Sequence, residues 1–195
     1  MKSRFSLKQF LVFVFLFLFG IFLLCLHRAT PSVTEKQNVS YTKMEFIEEI
    51  APTIQKVAAS YGVCPSIVIA QAVLESDYGT NLLAAKYHNL FAVQAQPGQV
   101  SIELMNKSYF VNEWHIETER FTIYKSWTAA IYDYFKLLQS GKLNDSAGAY
   151  DILLSNKGYK KPAQSLQDMR FSTDSNYATK LIAIVEKYHL TSYDK

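Results

Sequence analysis

Cysteine and glycine are scarce in this chain of 195 residues, which has 2 cysteines and 7 glycines. Cys25 lies in an apolar N-terminal run and Cys64 lies far from it in the sequence, so we expect no disulfide between them. No group of histidine, cysteine and acidic residues has the spacing of a metal site. The sequence therefore predicts no metal ion and no other cofactor.

An excess of positive charge is also absent from most of the chain. The formal net charge is +3, but all 17 acidic residues follow Arg28, while four of the 20 lysines and arginines lie at or before it. The part of the chain after Arg28 is therefore nearly neutral. Binding to nucleic acid is not expected from this charge distribution.

An uncharged run rich in Phe, Leu and Val occupies residues 10–26. Its length is at the short limit for a helix that crosses a membrane. Lys2, Arg4 and Lys8 precede it, which places the N-terminus in the cytoplasm by the positive-inside rule. A cleaved signal peptide is the alternative, but residues 27–29 (His-Arg-Ala) form a poor cleavage site. We therefore expect an uncleaved single-pass anchor in the cell membrane, with the rest of the chain on the outer face.

The chain after this run shows mostly helical spacing of apolar residues, and we expect six or seven helices. A capping box at 42–45 predicts the start of the first one, and Pro52 predicts a break or bend within it. Between residues 100 and 124 the apolar residues alternate, which predicts a β-hairpin with a bulge near Arg120. Residues 160–162 (Lys-Lys-Pro) are predicted to be a loop.

The predicted fold is mainly α with a small β-hairpin lobe, after one N-terminal transmembrane helix. We expect four segments in chain order, which are a cytoplasmic end, the anchor, a polar linker and the folded domain. They cover residues 1–9, 10–26, 27–42 and 43–191.

Residues 65–79 contain the pattern with the clearest chemistry. Pro65 suits the first position of a helix and Gly79 suits its end, and the residues between them are nearly all apolar, which predicts a buried helix. Glu75 lies in the last turn, where the helix dipole and desolvation both raise the pKa of a carboxyl group. An acid that stays protonated near neutral pH can act as a general acid. The alternative is a solvated acid at a helix end, the common position of a lone Glu.

Three short motifs, in this order, resemble the glucosaminidase-domain cell-wall hydrolases of the lysozyme superfamily. They are PSIVIAQAVLES at 65–76, HNLFA at 88–92 and TDSNYA at 173–178, and the similarity extends over about residues 45–190. The layout is most similar to that of small single-pass, streptococcal-type wall hydrolases. The resemblance implies a lysozyme-like fold and cleavage of peptidoglycan glycan strands.

The resemblance also implies roles for individual residues. Glu75 matches the family's catalytic acid, and Tyr177, from the family's NYA element, is a second candidate catalytic group. The expected sugar contacts are Gln71, Tyr78, Asn89, Phe91 and Trp114. For Asn89 a helix C-cap is an equal alternative. The aromatic residues Tyr109, Phe110 and Trp114 could instead pack the hairpin on the helices, which is the interpretation we favour for Phe110.

A second carboxylate, which glycosidases commonly use, is missing from its expected place. The family's hairpin acid aligns with Ser108, and the hairpin's own acids are out of register with it. These acids are Glu103, Glu113, Glu117 and Glu119. Either one of them moves in, or Tyr177 holds an attacking water, or groups of the muramic acid itself assist; we favour the last two.

The sequence therefore predicts a peptidoglycan glycosidase that cleaves β-1,4 bonds by general acid catalysis. We favour N-acetylmuramidase activity, with endo-β-N-acetylglucosaminidase and lytic transglycosylase as alternatives. The expected partners are glycan strands and the membrane, through residues 10–26, with cell-wall synthesis or division proteins as further candidates. A non-catalytic glycan-binding module is the alternative of another class, and it predicts Glu75 on a convex surface rather than in a cleft.

Overall fold

A computed structural model describes residues 6–25, 30–110, 113–144, 146–155 and 158–195, without the side chains of 22–25, 109–110 and 155. The chain divides into two compact units, Met1–Thr30 and Pro31–Lys195. The predictions for the side chains of Cys25, Tyr109 and Phe110 therefore lie outside the described residues.

The first unit contains helix α1, Leu7–Cys25. Across the residues that the structure describes, no helix combines the length and the apolar character that crossing a bilayer requires. The predicted transmembrane helix at 10–26 is therefore wrong, and with it the predicted single-pass location in the cell membrane.

The second unit is mainly helical with one two-stranded sheet, as predicted. Its elements in chain order are α2 (Lys43–Tyr61), α3 (Pro65–Ser76), α4 (Leu82–Tyr87), β1 (Ser101–Phe110), β2 (Glu113–Thr122), α5 (Trp127–Gln139), α6 (Ala149–Ser155), α7 (Lys160–Asp168), α8 (Tyr177–Lys187) and a 3₁₀-helix (Leu190–Tyr193). Residues 31–42, predicted as a linker, form part of this compact unit.

Helix α2 begins at the predicted capping box. The Thr42 hydroxyl accepts from the Glu45 N–H at 3.2 Å, and the Glu45 carboxylate accepts from the Thr42 N–H at 2.7 Å, so two N–H groups at the helix start are satisfied. The helix continues through Pro52 to Tyr61. Of the two predicted outcomes, a break or a bend, the break does not occur, because a proline removes only one backbone hydrogen bond and the apolar residues on both sides of it pack into the same core.

Helix α3 lies at the centre of the unit. Its first nine residues, Pro65 to Val73, are all buried. Its neighbours are α2, α8 and the 3₁₀-helix. Such a helix is apolar on all sides because it has no solvent face. The functional consequence is that a polar side chain in α3 needs partners inside the protein.

The hairpin has one continuous antiparallel register, from Ser101 opposite Thr122 to Phe110 opposite Glu113. Every residue has one partner, so the predicted bulge near Arg120 is wrong. The alternation of apolar residues changes phase along β2 because different faces of the hairpin carry its apolar residues near the turn and near the base. Trp114 and Ile116 on one face are exposed near the turn, whereas Phe121, on the other face, packs against α4 near the base of the hairpin.

The outer edge of β1 is covered by the start of the second unit. The Val33 N–H donates to the Met105 carbonyl at 3.0 Å, and the Met105 N–H donates to the Pro31 carbonyl at 2.9 Å. Further along, the Gln37 N–H donates to the Thr80 carbonyl at 2.8 Å. Residues 31–37 therefore connect the edge of the hairpin to the turn that follows α3.

The loop predicted at 160–162 is wrong, because Lys160 begins helix α7. Pro162 lies in the first turn of this helix, where its missing N–H has no partner to lose. Pro162, Ala163 and Leu166 are buried, so packing against the core extends a helix that the local sequence does not signal.

Candidate active site

The end of α3 has an unusual backbone. Asp77, Tyr78 and Gly79 are consecutive residues with positive φ, at 48°, 59° and 73°, a region that only glycine adopts readily. A Cβ atom on Gly79 would lie 2.6 Å from the Phe46 ring. The chain therefore turns sharply just after Glu75, and close packing around Gly79 fixes that turn.

Asn81 connects this turn to the next helix. Its Nδ2 donates to the backbone carbonyl of Glu75 at 2.8 Å, and its Oδ1 accepts from the Ala84 N–H at 2.8 Å. One buried side chain therefore caps the start of α4 and holds the backbone of the candidate catalytic acid.

Glu75 lies at the end of α3, at the border of the apolar core. The residue is half-buried, so part of its surface is accessible while protein surrounds most of it. Burial raises the pKa of Glu75 from its ordinary value of 4.5 to about 7, a hydrogen bond from Tyr177 opposes this rise, and the charge of Asp174 adds to it. A substantial fraction of Glu75 is therefore protonated at neutral pH, as the sequence predicts for a general acid.

Asp174 stays ionised beside this acid. Burial acts to raise the pKa of Asp174, but hydrogen bonds from Lys180 and from the Asn176 N–H hold it below its ordinary value. The two carboxyl groups therefore differ in protonation at neutral pH, because one is surrounded by apolar groups and the other is paired with a cation.

A chain of polar side chains reaches Glu75 from inside the core. The Tyr134 hydroxyl donates to Gln71 Oε1 at 2.9 Å, Gln71 Nε2 donates to the Tyr177 hydroxyl oxygen at 3.3 Å, and Tyr177 donates to Glu75. Burial raises the pKa of Tyr177 well above its ordinary value, and the charge of Glu75 raises it further. Tyr177 therefore remains a hydroxyl donor throughout the pH range in which Glu75 titrates.

Three of the five predicted sugar contacts are buried. Gln71 and Asn89 are each 1% exposed and Phe91 is 4% exposed. Asn89 donates to the carbonyls of Val93 and Thr122 and accepts from the Val93 N–H, each at 2.9 Å, so its amide joins the loop after α4 to the base of the hairpin. The C-cap of α4 is His88 rather than Asn89.

Phe91 stacks on Tyr134 with their ring centroids 4.0 Å apart. Together with the buried amides of Gln71 and Asn89, this contact favours a structural role for all three residues over the predicted contact with sugar.

The other two predicted sugar contacts reach the surface. Tyr78 is half-buried in the turn after α3, with Tyr188 edge-on to its ring at 5.8 Å and the Lys43 ammonium 4.1 Å from its ring centroid. Trp114 is 63% exposed near the hairpin turn, with the Lys107 ammonium 4.4 Å from its ring centroid. Their roles as sugar contacts remain predictions.

The register of the hairpin places Ser108 opposite His115, on the face that carries Leu104 and Phe121. Glu117 and Glu119 share that face, whereas Glu103 lies on the other one. Both carboxylate oxygens of Glu119 are occupied, by Asn106 Nδ2 at 3.0 Å and by Gln94 Nε2 at 2.9 Å. Glu119 therefore braces the hairpin against the loop that carries Gln94.

Within the part of the chain that the structure describes, no group of three or more His, Cys, Asp or Glu side chains could hold a metal ion. The thiol of Cys64 is free and accepts a hydrogen bond from the Gly158 N–H at 3.3 Å.

Sequence reasoning missed three residues around Glu75. Tyr134 belongs to the apolar stripe of α5 and is indistinguishable there from a core aromatic residue. Asn81 lies next to Thr80, and both residue types cap helices, so the sequence does not single out Asn81. Asp174 belongs to the TDSNYA motif, and membership of that motif is the sequence signal that places it near the site.

Solved structures of cell-wall hydrolases have this fold. The catalytic domain of the autolysin Auto (Lmo1076) from Listeria monocytogenes superposes with a TM-score of 0.67 and 26% identity, over 99% of this chain and 100% of that one. An N-acetylmuramoyl-L-alanine amidase structure from Staphylococcus aureus superposes with a TM-score of 0.71 and 26% identity, over 85% of this chain and 50% of that one. The second unit is therefore a lysozyme-like domain of the type found in peptidoglycan hydrolases.

The family follows from sequence. Residues 51–190 match the glucosaminidase family, described as mannosyl-glycoprotein endo-β-N-acetylglucosaminidase, so the chain belongs to that family. The resemblance predicted from the three motifs is confirmed, and so is the prediction of a peptidoglycan glycosidase domain.

Curated relatives carry two different activity names. The exo-glucosaminidase LytG of Bacillus subtilis is 31% identical over 90% of this chain. A probable N-acetylmuramidase of Lactococcus lactis is 30% identical over 88% of this chain. The chain spans 62% of the length of the first relative and 38% of the second.

Proposed function

We propose that the domain cleaves the β-1,4 bonds of peptidoglycan glycan strands, with Glu75 as the general acid. The observation that carries this proposal is Glu75, a half-buried residue at the end of a core helix, whose carboxyl group has its pKa raised to about 7 by burial. An exposed acid on a convex surface, as expected for a non-catalytic glycan-binding module, would not be desolvated in this way.

In the proposed reaction, protonated Glu75 donates its proton to the glycosidic oxygen as the bond to the sugar breaks. The ionised Asp174 disfavours a second negative charge nearby and so helps to retain the proton until the leaving oxygen takes it. After transfer, the hydrogen bond from Tyr177 stabilises the carboxylate that remains.

The attacking water has no dedicated hairpin carboxylate in this proposal. Ser108 stands at the position expected for one, and Glu119, on the same face, has both oxygens engaged by neighbouring amides. We propose instead that the acetamido or lactyl group of muramic acid assists, because Tyr177 is 1% exposed and its proton is already donated to Glu75. This route leaves Glu75 to act first as acid and then as base.

For the bond cleaved, we favour the one that follows N-acetylmuramic acid. The two activity names among the relatives make cleavage after N-acetylglucosamine the competing assignment. Mass spectrometry of products from defined glycan strands separates these outcomes, because the reducing-end sugar differs between them and a transglycosylase leaves an anhydro sugar. Association with cell-wall synthesis or division proteins remains a prediction.

Glu75→Gln is the decisive substitution for the proposed function. Glutamine keeps the shape of the side chain but has no acidic proton, so we expect a folded protein that no longer digests purified peptidoglycan. Glu48→Gln, at an exposed position on α2, is the matched control and should keep full activity. Digestion by Glu75→Gln at the wild-type rate would contradict the proposal, and binding of glycan strands by a wild-type protein that produces no cleavage would favour the binding module.

A further inference from the structure

The core of the domain contains one polar chain that the proposed reaction does not require in full. Tyr134 on α5, Gln71 on α3 and Tyr177 on α8 are each 1% exposed. Their hydrogen bonds, at 2.9 Å and 3.3 Å, connect three helices and lead to Glu75. The polar atoms of Tyr134 and Gln71 bond to members of this chain and both side chains are buried, so neither of them is placed to touch substrate.

We propose that Tyr134 and Gln71 are positioning residues that fix the direction of the Tyr177 hydroxyl proton toward Glu75. This inference rests on the proposed role of Glu75 as general acid and adds two residues to the apparatus that controls it.

The direction of the chain follows from which groups can donate. A tyrosine hydroxyl has one proton, and an amide has a donor end and an acceptor end. The Tyr134 proton occupies Gln71 Oε1, which turns Nε2 toward the Tyr177 oxygen. Because the Tyr177 oxygen then accepts from Gln71, its own proton is directed to Glu75, the acceptor that remains.

Core packing alone does not account for these polar atoms. The Tyr134 ring stacks on Phe91 and lies edge-on to Phe135 at 5.6 Å, contacts that a phenylalanine would also make. A buried glutamine requires partners for both ends of its amide, and here both partners are hydroxyl groups of the chain. An apolar pair at positions 71 and 134 would fill the same space without this requirement.

The neighbouring elements carry further charged and titratable groups, and the test leaves them in place. Asp174, before α8, raises the pKa of Glu75 and is itself paired with Lys180 on α8. Asp194, after the 3₁₀-helix, binds the Ser66 N–H at the opposite end of α3. On α2, Glu49 lies near Tyr41. None of these groups is changed in the variants below.

The test is the pH dependence of the initial rate on defined soluble glycan strands for Tyr134→Phe. Without the Tyr134 hydroxyl, the Gln71 amide can rotate, and its oxygen then competes with Glu75 for the Tyr177 proton. A carboxylate that loses one hydrogen-bond donor has a higher pKa, so the fall of the rate at high pH should move up by about one pH unit. The matched control is Tyr150→Phe, which removes a hydroxyl bonded to the Tyr61 carbonyl at 2.9 Å and should leave the pH profile unchanged.

A double variant tests whether the Gln71 oxygen competes with Glu75 for the Tyr177 proton. In Tyr134→Phe with Gln71→Met, no competing oxygen remains and Tyr177 again has Glu75 as its acceptor. We therefore expect the pH profile of the double variant to return to the wild-type position. A purely structural role predicts no such rescue.

The proposal is overturned if Tyr134→Phe keeps the wild-type pH profile, if the double variant keeps the shifted one, or if Tyr134→Phe loses the folded state by circular dichroism. Glu75→Gln is measured in parallel. If that variant is active, the proposed function has failed; if it is inactive and the Tyr134→Phe profile is unshifted, only the present inference has failed.

Discussion

Replacing Glu75 by glutamine should stabilise the domain at neutral pH, and the effect should depend on pH. The pKa of Glu75 is about 7 in the folded chain against an ordinary value of 4.5, so the folded state binds the proton more tightly than the unfolded state does. The contribution of Glu75 to the free energy of unfolding is fully present below pH 4.5 and is lost as the pH rises through about 7. Glutamine, which does not titrate, does not show this loss.

The size of this effect on stability follows from the shift in the pKa of Glu75. A rise of roughly 2.5 pKa units corresponds to about 3 kcal/mol of unfolding free energy. In a domain of this size, about 3 kcal/mol shifts the melting temperature by roughly 6–12 °C. Glu75 should therefore lower the free energy of unfolding at pH 8 relative to a residue that does not titrate.

Urea unfolding of the wild type and of Glu75→Gln at pH 4 and pH 8 measures the effect. The stability difference between the two proteins, rather than either curve alone, is the quantity to compare, because carboxylates that do not interact with Glu75 titrate identically in both. We expect the variant to gain about 3 kcal/mol over the wild type between these two pH values. A difference that is equal at both values would refute the inference that Glu75 is desolvated in the folded chain.

Two further predictions concern the groups around Glu75. Tyr177→Phe keeps the ring contact with Phe171, at 5.9 Å between centroids, and loses the hydroxyl, so peptidoglycan digestion should fall much more than the melting temperature; equal activity would leave Tyr177 a packing residue. Single Glu→Gln changes in the hairpin should each retain a substantial part of the activity, and Glu119→Gln should also lower the melting temperature because it weakens the contacts with Gln94 and Asn106. A loss as deep as that of Glu75→Gln at one position would identify a relocated second acid. The positions are Glu103, Glu113, Glu117 and Glu119.

The sequence predicts the central helix, the capping box and the hairpin because each has a local signal. Glu75 was found because a lone acid in an apolar helix is conspicuous. Tyr134 and Asn81 were not found, because their importance depends on which residues tertiary packing places beside them. The direction of a hydrogen-bond chain between three helices has no signature in any one of them.

The errors have equally specific causes. Pro52 leaves both a break and a bend open in the sequence, and burial on both sides of it decides against the break. Helix α7 lacks a start signal, and contacts with the core stabilise it. The sugar contacts predicted for Asn89 and Phe91 are a different case and remain predictions, because a motif does not distinguish residues that touch substrate from residues that hold the loop in shape.

The pairing of residues 31–33 with β1 limits where the chain can be shortened. A strand edge without a partner offers its N–H and C=O groups to other chains and promotes aggregation. A protein that begins at residue 43 would expose the edge of β1 at Met105 and would also lose the hydrogen bond from the Tyr41 hydroxyl to the Gly79 carbonyl, at 2.9 Å. A recombinant domain for crystallisation or enzymology should therefore begin no later than Pro31.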